Sequence, residues 1–329
     1  MMNNIASTDC LKLSVIVLTY NQENTIAQTL DSILQQKHNY SYEIVIGEDC
    51  STDRTREILL EYQSRHPDVI RLLSNEKNLG LIGNYFNVIE HCRGEYIMQC
   101  AGDDWWLPGK VALQIPYMDN HPECGMCYTD AACIYENKHN KGSAFIRGRY
   151  DNSLPSLLEE NPVAALTISI RRAVLMEYIN EIQPKEKDWK TEDYPIWLWL
   201  SSYSKIEYIP QVTSCYRISS GTASRAKQYV ADLHFLLSVA KIKRFFYDKH
   251  SKMLSLYIQH LINAEIASIQ LQIGYITHDT VMCNFNRKLL LRNWTVKMGW
   301  RKALIYLGLI ICPPLTISVR QYRYSQLNR

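Results

Sequence analysis

Ser14-Val-Ile-Val-Leu-Thr-Tyr-Asn21 decides the fold. Its first five residues are apolar or β-branched after Ser14, without alternation, which predicts a strand buried on both faces. The run then breaks into the polar Thr19, Tyr20 and Asn21. Asn21 to Asn24 offer helix-capping side chains, and Ile26, Leu30, Ile33 and Leu34 recur at helical spacing. Moving outward, Glu43-Ile-Val-Ile-Gly47 reads as a second buried strand. Ser51, Thr52 and Asp53 can start the next helix, with Asp53 as its cap and Ile58, Leu59 and Tyr62 along one side. Ile70 to Leu73 is a weaker strand and Asn84 to Cys92 a helix; Tyr96-Ile-Met-Gln-Cys100 is a third strong strand, and Pro108 opens a helix near Lys110 to Met118. Strand and helix alternate, which predicts an α/β chain with a mostly parallel central sheet flanked by helices.

Beyond this region the pattern changes. Val163 to Ile170 reads as a strand, Glu192 to Leu200 as a helix with Pro195 in its first turn, and Ile206 to Ile209 and Val212 to Ile218 as two short strands. From Ala226 onward helical spacing dominates. The expected division is a catalytic domain over residues 1–225 and a helical C-terminal region over 226–329.

The net charge of +3 hides an asymmetry. Arg287 to Arg329 holds nine Lys or Arg and no Asp or Glu, so the rest of the chain is acidic. The close pair Cys124 and Cys127 has no second pair at zinc-site spacing and reads as core thiols. Polar residues interrupt the segment after Met1, so no signal-peptide core is expected and the thiols fit a reducing cytoplasm.

Polar clusters fall at the carboxyl ends of the three strongest strands: Thr19 and Tyr20, then Glu48 and Asp49, then Asp103 and Asp104. In an open parallel sheet, ligands bind in the crevice outside those ends. Adjacent carboxylates repel unless a cation or water relieves them, and Mg²⁺ or Mn²⁺ prefers such oxygen ligands shared with substrate phosphates. Neither Gly-x-x-x-x-Gly-Lys-Ser/Thr nor Gly-x-Gly-x-x-Gly occurs, which argues against a P-loop nucleotidase and a dinucleotide dehydrogenase.

The run from Ser14 to Asn21, Glu43-Ile-Val-Ile-Gly-Glu-Asp-Cys-Ser-Thr-Asp53, Gly94-Glu-Tyr-Ile, and Gly102-Asp-Asp-Trp-Trp106 resemble family 2 glycosyltransferases of the GT-A, Rossmann-like fold. The resemblance extends over about residues 12 to 225, through Thr191-Glu-Asp-Tyr-Pro-Ile-Trp197 and Cys215-Tyr-Arg217. It implies an inverting transferase using a nucleotide-sugar donor, UDP-linked, and a glycan or lipid-linked glycan acceptor. Thr19, Tyr20 and Asp49 would hold the nucleoside, assisted by Glu23 or Glu48. Asn78, Gly80 and Asn84 would border the donor, Asp103 and Asp104 would bind the divalent cation, Arg217 would lie near the diphosphate, and Asp193 would be the general base. The residues themselves also allow Asp193 to be a helix-start cap. Two positions depart from the family's pattern: Ala101 stands where many members carry Asp or Glu, and Ser219 where relatives often carry His. A metal-dependent nucleotidyltransferase, or a degenerate relative that binds nucleotide without turnover, would use the same strand ends.

In the tail, Arg287 to Lys302 places six cations among Leu289, Leu290, Leu291, Trp294, Met298 and Trp300. Ala303 to Val319 follows without charge but with Pro313 and Pro314. This composition predicts interfacial membrane contact, placing the chain on the inner face of the cell membrane. It is too apolar for a nucleic-acid-binding arm.

Overall fold

The computed structural model describes residues 11–135, 144–218, 229–293 and 299–327. In chain order the elements begin with β1 (Leu13–Thr19), α1 (Ile26–Leu34), β2 (Tyr42–Glu48), α2 (Thr55–Arg65), β3 (Ile70–Ser74), α3 (Gly80–His91) and β4 (Tyr96–Ala101). A two-residue β5 (Trp105–Trp106), α4 (Lys110–Asn120), β6 (Cys124–Tyr135), β7 (Ala144–Ile146), α5 (Leu154–Glu159), β8 (Ile168–Arg171) and α6 (Arg172–Ile182) follow. The chain continues through α7 (Tyr194–Tyr203), β9 (Lys205–Ile218), α8 (Tyr229–Lys249), α9 (Leu256–Ile276), α10 (Thr280–Asn293), α11 (Trp300–Ile311) and α12 (Pro313–Leu327).

Two compact units divide these elements. The first holds Met1–Ser153, Pro162–Lys187 and Trp199–Ile218; the second holds Leu154–Asn161, Asp188–Leu198 and Ser219–Arg329. The expected boundary near residue 225 lies outside the described residues.

The first unit is built on a nine-stranded mixed sheet, ordered β3-β2-β1-β4-β8-β6-β9-β5 with β7 on β6. The first four strands are parallel. β1 is fully buried along all seven residues, which is why its sequence shows no alternation. Val15, Val17, Ile44, Ile46, Met98 and Cys100 meet Ile26, Leu30, Ile33 and Ile115 in one core. Cys124 and Cys127 join that core as buried thiols on β6. On the α3 side a Cβ on Gly47 would sit 2.4 Å from Asn84 Oδ1, so only glycine lets α3 approach β2 this closely.

Three expectations are corrected here. Val163 to Ile170 is not one strand: Ala165–Thr167 forms a 3-10 turn before β8, and the Thr167 hydroxyl ties it back to the Ala164 carbonyl. The two short strands around Pro210 are one strand, β9. Its pairing with β6 jumps from Thr129↔Ile209 to Asp130↔Val212, a bulge that leaves Pro210 without a ladder bond to make. Helix α1 begins at Ile26 without a side-chain cap, and Asn21 instead takes a left-handed φ of 53°.

The second unit is helical. α9 is its axis, buried at Leu261, Ala264, Ala267 and Leu271, and packed against α5, α8, α10, α11 and α12. No helix among the described residues is long and apolar enough to cross a membrane.

Candidate active site

The strand order turns at β1, which lies between β2 and β4. The crevice lies outside the carboxyl ends of these parallel strands, where Thr19, Asp49 and the 102–104 turn all sit.

Two loops meet there. The Asn21 amide donates to Ser51 Oγ at 3.0 Å, and Asn21 Oδ1 accepts from the Thr52 amide at 2.8 Å. The Gln22 amide donates to Thr55 Oγ1 at 2.7 Å. The Glu23 amide donates to Asp53 Oδ2, while the Arg54 amide donates to Glu23 Oε2. Asp53 also accepts from the Thr55 amide at the start of α2, the capping role expected of it. The clamp fixes Tyr20, a residue 46% exposed, next to the crevice. It also uses the left-handed Asn21 and Cys50, a backbone strain that the reciprocal bonds hold in place.

The expected donor contacts divide into two groups. Glu48 is fully buried; Oε1 accepts from the Ser51 amide and Oε2 from Arg56 Nε, both at 2.5 Å. Asn84 is likewise buried, donating to the Gly47 carbonyl and accepting from Asn75 Nδ2. These two side chains therefore shape the loop, as the Glu23 carboxylate does. Asp49 differs. Its Oδ1 accepts from Asn75 Nδ2 at 3.0 Å and the Leu79 amide at 2.7 Å, and Asn78 Nδ2 holds its backbone carbonyl. No hydrogen bond from a described residue reaches Oδ2. Thr19 Oγ1 and Gln22 Oε1 are both buried without a partner among the described residues, and both lie against Gly102.

The carboxylate turn is held by α1. Thr25 Oγ1 donates to the Gly102 carbonyl at 2.8 Å and Thr29 Oγ1 to the Asp104 carbonyl at 2.6 Å. Ser32 Oγ accepts from the Trp106 amide at 3.0 Å and Gln36 Nε2 donates to the Leu107 carbonyl at 2.9 Å. Residues 25, 29, 32 and 36 fall on one helical stripe, a spacing visible in the sequence but missed beside the apolar stripe. From the other side, β5 pairs with β9 as Trp105↔Cys215, and two further steps in that register set Arg217 opposite Asp103. The Arg217 amide donates to Asp104 Oδ1 at 2.8 Å, its Nε donates to the Asp103 carbonyl at 2.8 Å, and its guanidinium lies 4.9 Å from the Trp105 ring centroid. Asp103, Asp104 and Arg217 are thus one cluster.

Asp104 is only 4% exposed. Burial and then the charge of Asp103 push its carboxyl well above the usual range, against the pull of the Arg217 amide and guanidinium. A divalent cation would relieve that cost, so these residues fit one, with Ala101 supplying no third carboxylate. Among the described residues no group of three or more His, Cys, Asp or Glu side chains is placed to hold a metal. Two protein carboxylates plus substrate oxygens are the arrangement Mg²⁺ and Mn²⁺ usually adopt.

Asp193 belongs to the second unit. It begins α7: the Ile196 amide donates to its carbonyl, and its Oδ1 accepts from Thr191 Oγ1 at 2.5 Å and the Tyr194 amide at 2.6 Å. The cap role is therefore real, yet it uses one oxygen; Oδ2 has no hydrogen bond from a described residue. Burial pushes the Asp193 carboxyl up, although the hydrogen bonds oppose this. Its neighbour Glu192, to which the sequence assigned no site role, is buried and pushed up by burial and by the charge of Asp193. Ser219 lies outside the described residues.

A buried amine stands behind the turn. Lys110 is wholly buried, donating to Gln114 Oε1 at 2.7 Å and Thr213 Oγ1 at 3.3 Å. No acidic side chain pairs with it among the described residues, and burial lowers its pKa from 10.5 to about 7. Between those values the unfolded chain binds the extra proton, so this group makes stability rise with pH and imposes its full cost below about 7. Lys110→Met should raise stability at pH 6 by on the order of a few kcal/mol, a gain that shrinks toward pH 10. Thermal melts at both pH values check this; a lower melting temperature at pH 6 contradicts it.

Comparison with known proteins agrees with this architecture. The sequence model described as Glycosyl transferase family 2 matches residues 14–179. An uncharacterized protein of Mycobacterium bovis is 32% identical over 212 residues, covering 62% of this chain and 58% of that protein. The chain thus matches less than two thirds of the length of such relatives. The UDP-Glc:alpha-D-GlcNAc-diphosphoundecaprenol beta-1,3-glucosyltransferase WfgD of Escherichia coli is 26% identical over 221 residues, covering 65% and 80% of the two chains. Among solved structures, TarS 1-349 of S. aureus in complex with UDP-GlcNAc superposes with a TM-score of 0.57 at 18% identity, covering 89% of this chain and 92% of that one. The mannosyltransferase PcManGT of Pyrobaculum calidifontis, in complex with GDP-Man and Mn²⁺, gives 0.54 at 17%, covering 95% and 87%.

Proposed function

The chain belongs to glycosyl transferase family 2, and from that premise we propose that it moves a sugar from a nucleoside diphosphate sugar, UDP-linked, to a hydroxyl of a glycan or lipid-linked glycan, with inversion. The observation that carries the reading is the Asp103-Asp104 turn, braced by α1 and Arg217 at the carboxyl ends of the strands where the strand order turns. The nucleoside lies over Tyr20 and Thr19, with Asp49 Oδ2 as its acceptor. Arg217 attracts the diphosphate. Asp103 and Asp104 would hold a divalent cation, which would supply positive charge to neutralise the departing diphosphate.

The proton is handled by this chain's own residues. As the acceptor oxygen forms its bond to the anomeric carbon, the bond to the diphosphate oxygen breaks and the hydroxyl proton passes to Asp193 Oδ2. The raised pKa of Asp193 suits that role, because a base must hold the proton it receives. Glu48 and Asn84 act by holding Asp49 in place. The relatives named for lipid-linked acceptors, together with the basic tail, support a site of action at the cytoplasmic face of a membrane.

A panel of nucleotide sugars with Mn²⁺, scored for thermal shift and donor hydrolysis, tests the reading. UDP-sugars should stabilise the protein and be hydrolysed slowly. A stabilising response to no nucleotide sugar would remove it.

A further inference from the structure

The α11–α12 hairpin of the second unit is apolar on two faces. Its inner face, Tyr306, Leu309, Ile310 and Ile317, is buried against α9. Close packing of the two helices depends on Gly308, where a Cβ would lie 2.7 Å from Thr316 Oγ1. The outer face consists of Leu304, Leu307 and Ile311 at helical spacing on α11, then Leu315 and Val319 one turn apart on α12. All five are exposed, Ile311 at 67% and Leu315 at 65%. A helix apolar all round normally has a partner on each side, and here one side has solvent.

That outer face continues into a groove of about 510 Å³ between α8, α11 and α12, lined by Leu233, Leu236, Leu304 and Leu315 with Asp232 and Arg320 among its polar residues. Arg301 and Lys302 are exposed at the start of the hairpin. The sequence from Arg287 to Arg329 holds nine cations and no acid, so the surface that would receive this face must be anionic. Neither helix can span a bilayer. Gly308 packs on Thr316, so the chain folds back near residue 312 and gathers Arg301, Lys302 and Arg320 at the open end. An apolar face with its cations at one end suits a hairpin inserted shallowly into the interface instead.

The geometry points to an anionic phospholipid surface as the occupant: the Leu304–Val319 face enters the hydrocarbon boundary, one lipid chain enters the α8–α11–α12 groove, and Arg301, Lys302 and Arg320 meet the headgroups. This rests on the proposed membrane location but not on the transfer chemistry, and it is read by binding alone.

The test is flotation of the full chain with vesicles of phosphatidylcholine alone and of phosphatidylcholine mixed with phosphatidylglycerol. The protein should float with the mixed vesicles, far less with the neutral ones, and progressively less as salt rises. Arg301→Gln with Lys302→Gln should lower partitioning about thirtyfold. Leu307→Glu with Ile311→Glu, both at exposed positions, should lower it about a hundredfold or more while leaving the circular dichroism spectrum and donor hydrolysis unchanged. Equal flotation with both vesicle types, or full flotation of the double-Glu variant, overturns the proposal. So does a dimer in sedimentation that the double-Glu variant dissociates without loss of vesicle binding, since a second copy would then be the occupant. Loss of donor hydrolysis in the wild type with flotation intact would count against the transferase reading alone.

Discussion

Asp193→Asn is expected to lower the turnover number about a thousandfold while leaving donor affinity within about twofold. The substitution keeps the shape of α7's first turn. Asn Oδ1 can still accept from Thr191 Oγ1 and the Tyr194 amide, as Asp193 Oδ1 does. What disappears is the oxygen proposed to receive the acceptor's proton. The pH profile separates this from a structural effect. Burial raises the Asp193 carboxyl, so the wild type should lose activity as pH falls through a limb above the ordinary carboxylate range. The sign follows because only the ionised form can act as base. Glu192 beside it is also raised, so the limb reports the pair rather than one residue. In Asp193→Asn the limb should vanish from the residual rate. Turnover within tenfold of wild type, with the limb intact, would remove Asp193 from the mechanism.

The second large effect concerns Asp104→Asn, which should abolish the gain in donor affinity that the proposed cation site predicts with Mn²⁺, on the order of a hundredfold. Asn at this position retains an acceptor for the Arg217 amide, the contact that orders the end of β9. It removes a charge that is costly to bury next to Asp103, so the variant's thermal stability should equal or exceed that of wild type. Calorimetry of UDP binding with and without Mn²⁺, on both proteins, reads the effect. An unchanged response to Mn²⁺ in the variant contradicts the cation assignment, and a lowered melting temperature would mean that the negative charge itself supports the fold.

Much of the first unit is legible in the sequence because its strands are buried on both faces. Ser14 to Leu18, Glu43 to Gly47 and Tyr96 to Cys100 contain little but apolar residues, and that composition alone places them in the centre of a sheet. The order in which polar residues follow those strands locates the crevice. What the sequence does not carry is the destination of each polar side chain. Glu48 and Asp49 are adjacent and chemically alike, yet one is closed off by Ser51 and Arg56 while the other keeps an oxygen that no described residue hydrogen-bonds. Pro210 divides a pattern that the β6 bulge rejoins, a long-range pairing that no local signal announces. The Thr25, Thr29, Ser32 and Gln36 stripe follows helical spacing as clearly as the apolar one. Its meaning emerges only once the 102–107 segment lies against it. Lys110 is hidden for a related reason: at the start of a helix a lysine reads as exposed, and only the packing of Trp106, Gln114 and Thr213 shows otherwise.

The most direct test is the identity of the products formed by the wild-type chain from a UDP-sugar, Mn²⁺ and a lipid-linked glycan acceptor of the proposed class. Release of UDP, matched one for one by a new glycosidic bond of inverted anomeric configuration in the NMR spectrum, is the predicted result. Release of pyrophosphate, or a product that keeps the donor's configuration, would contradict it.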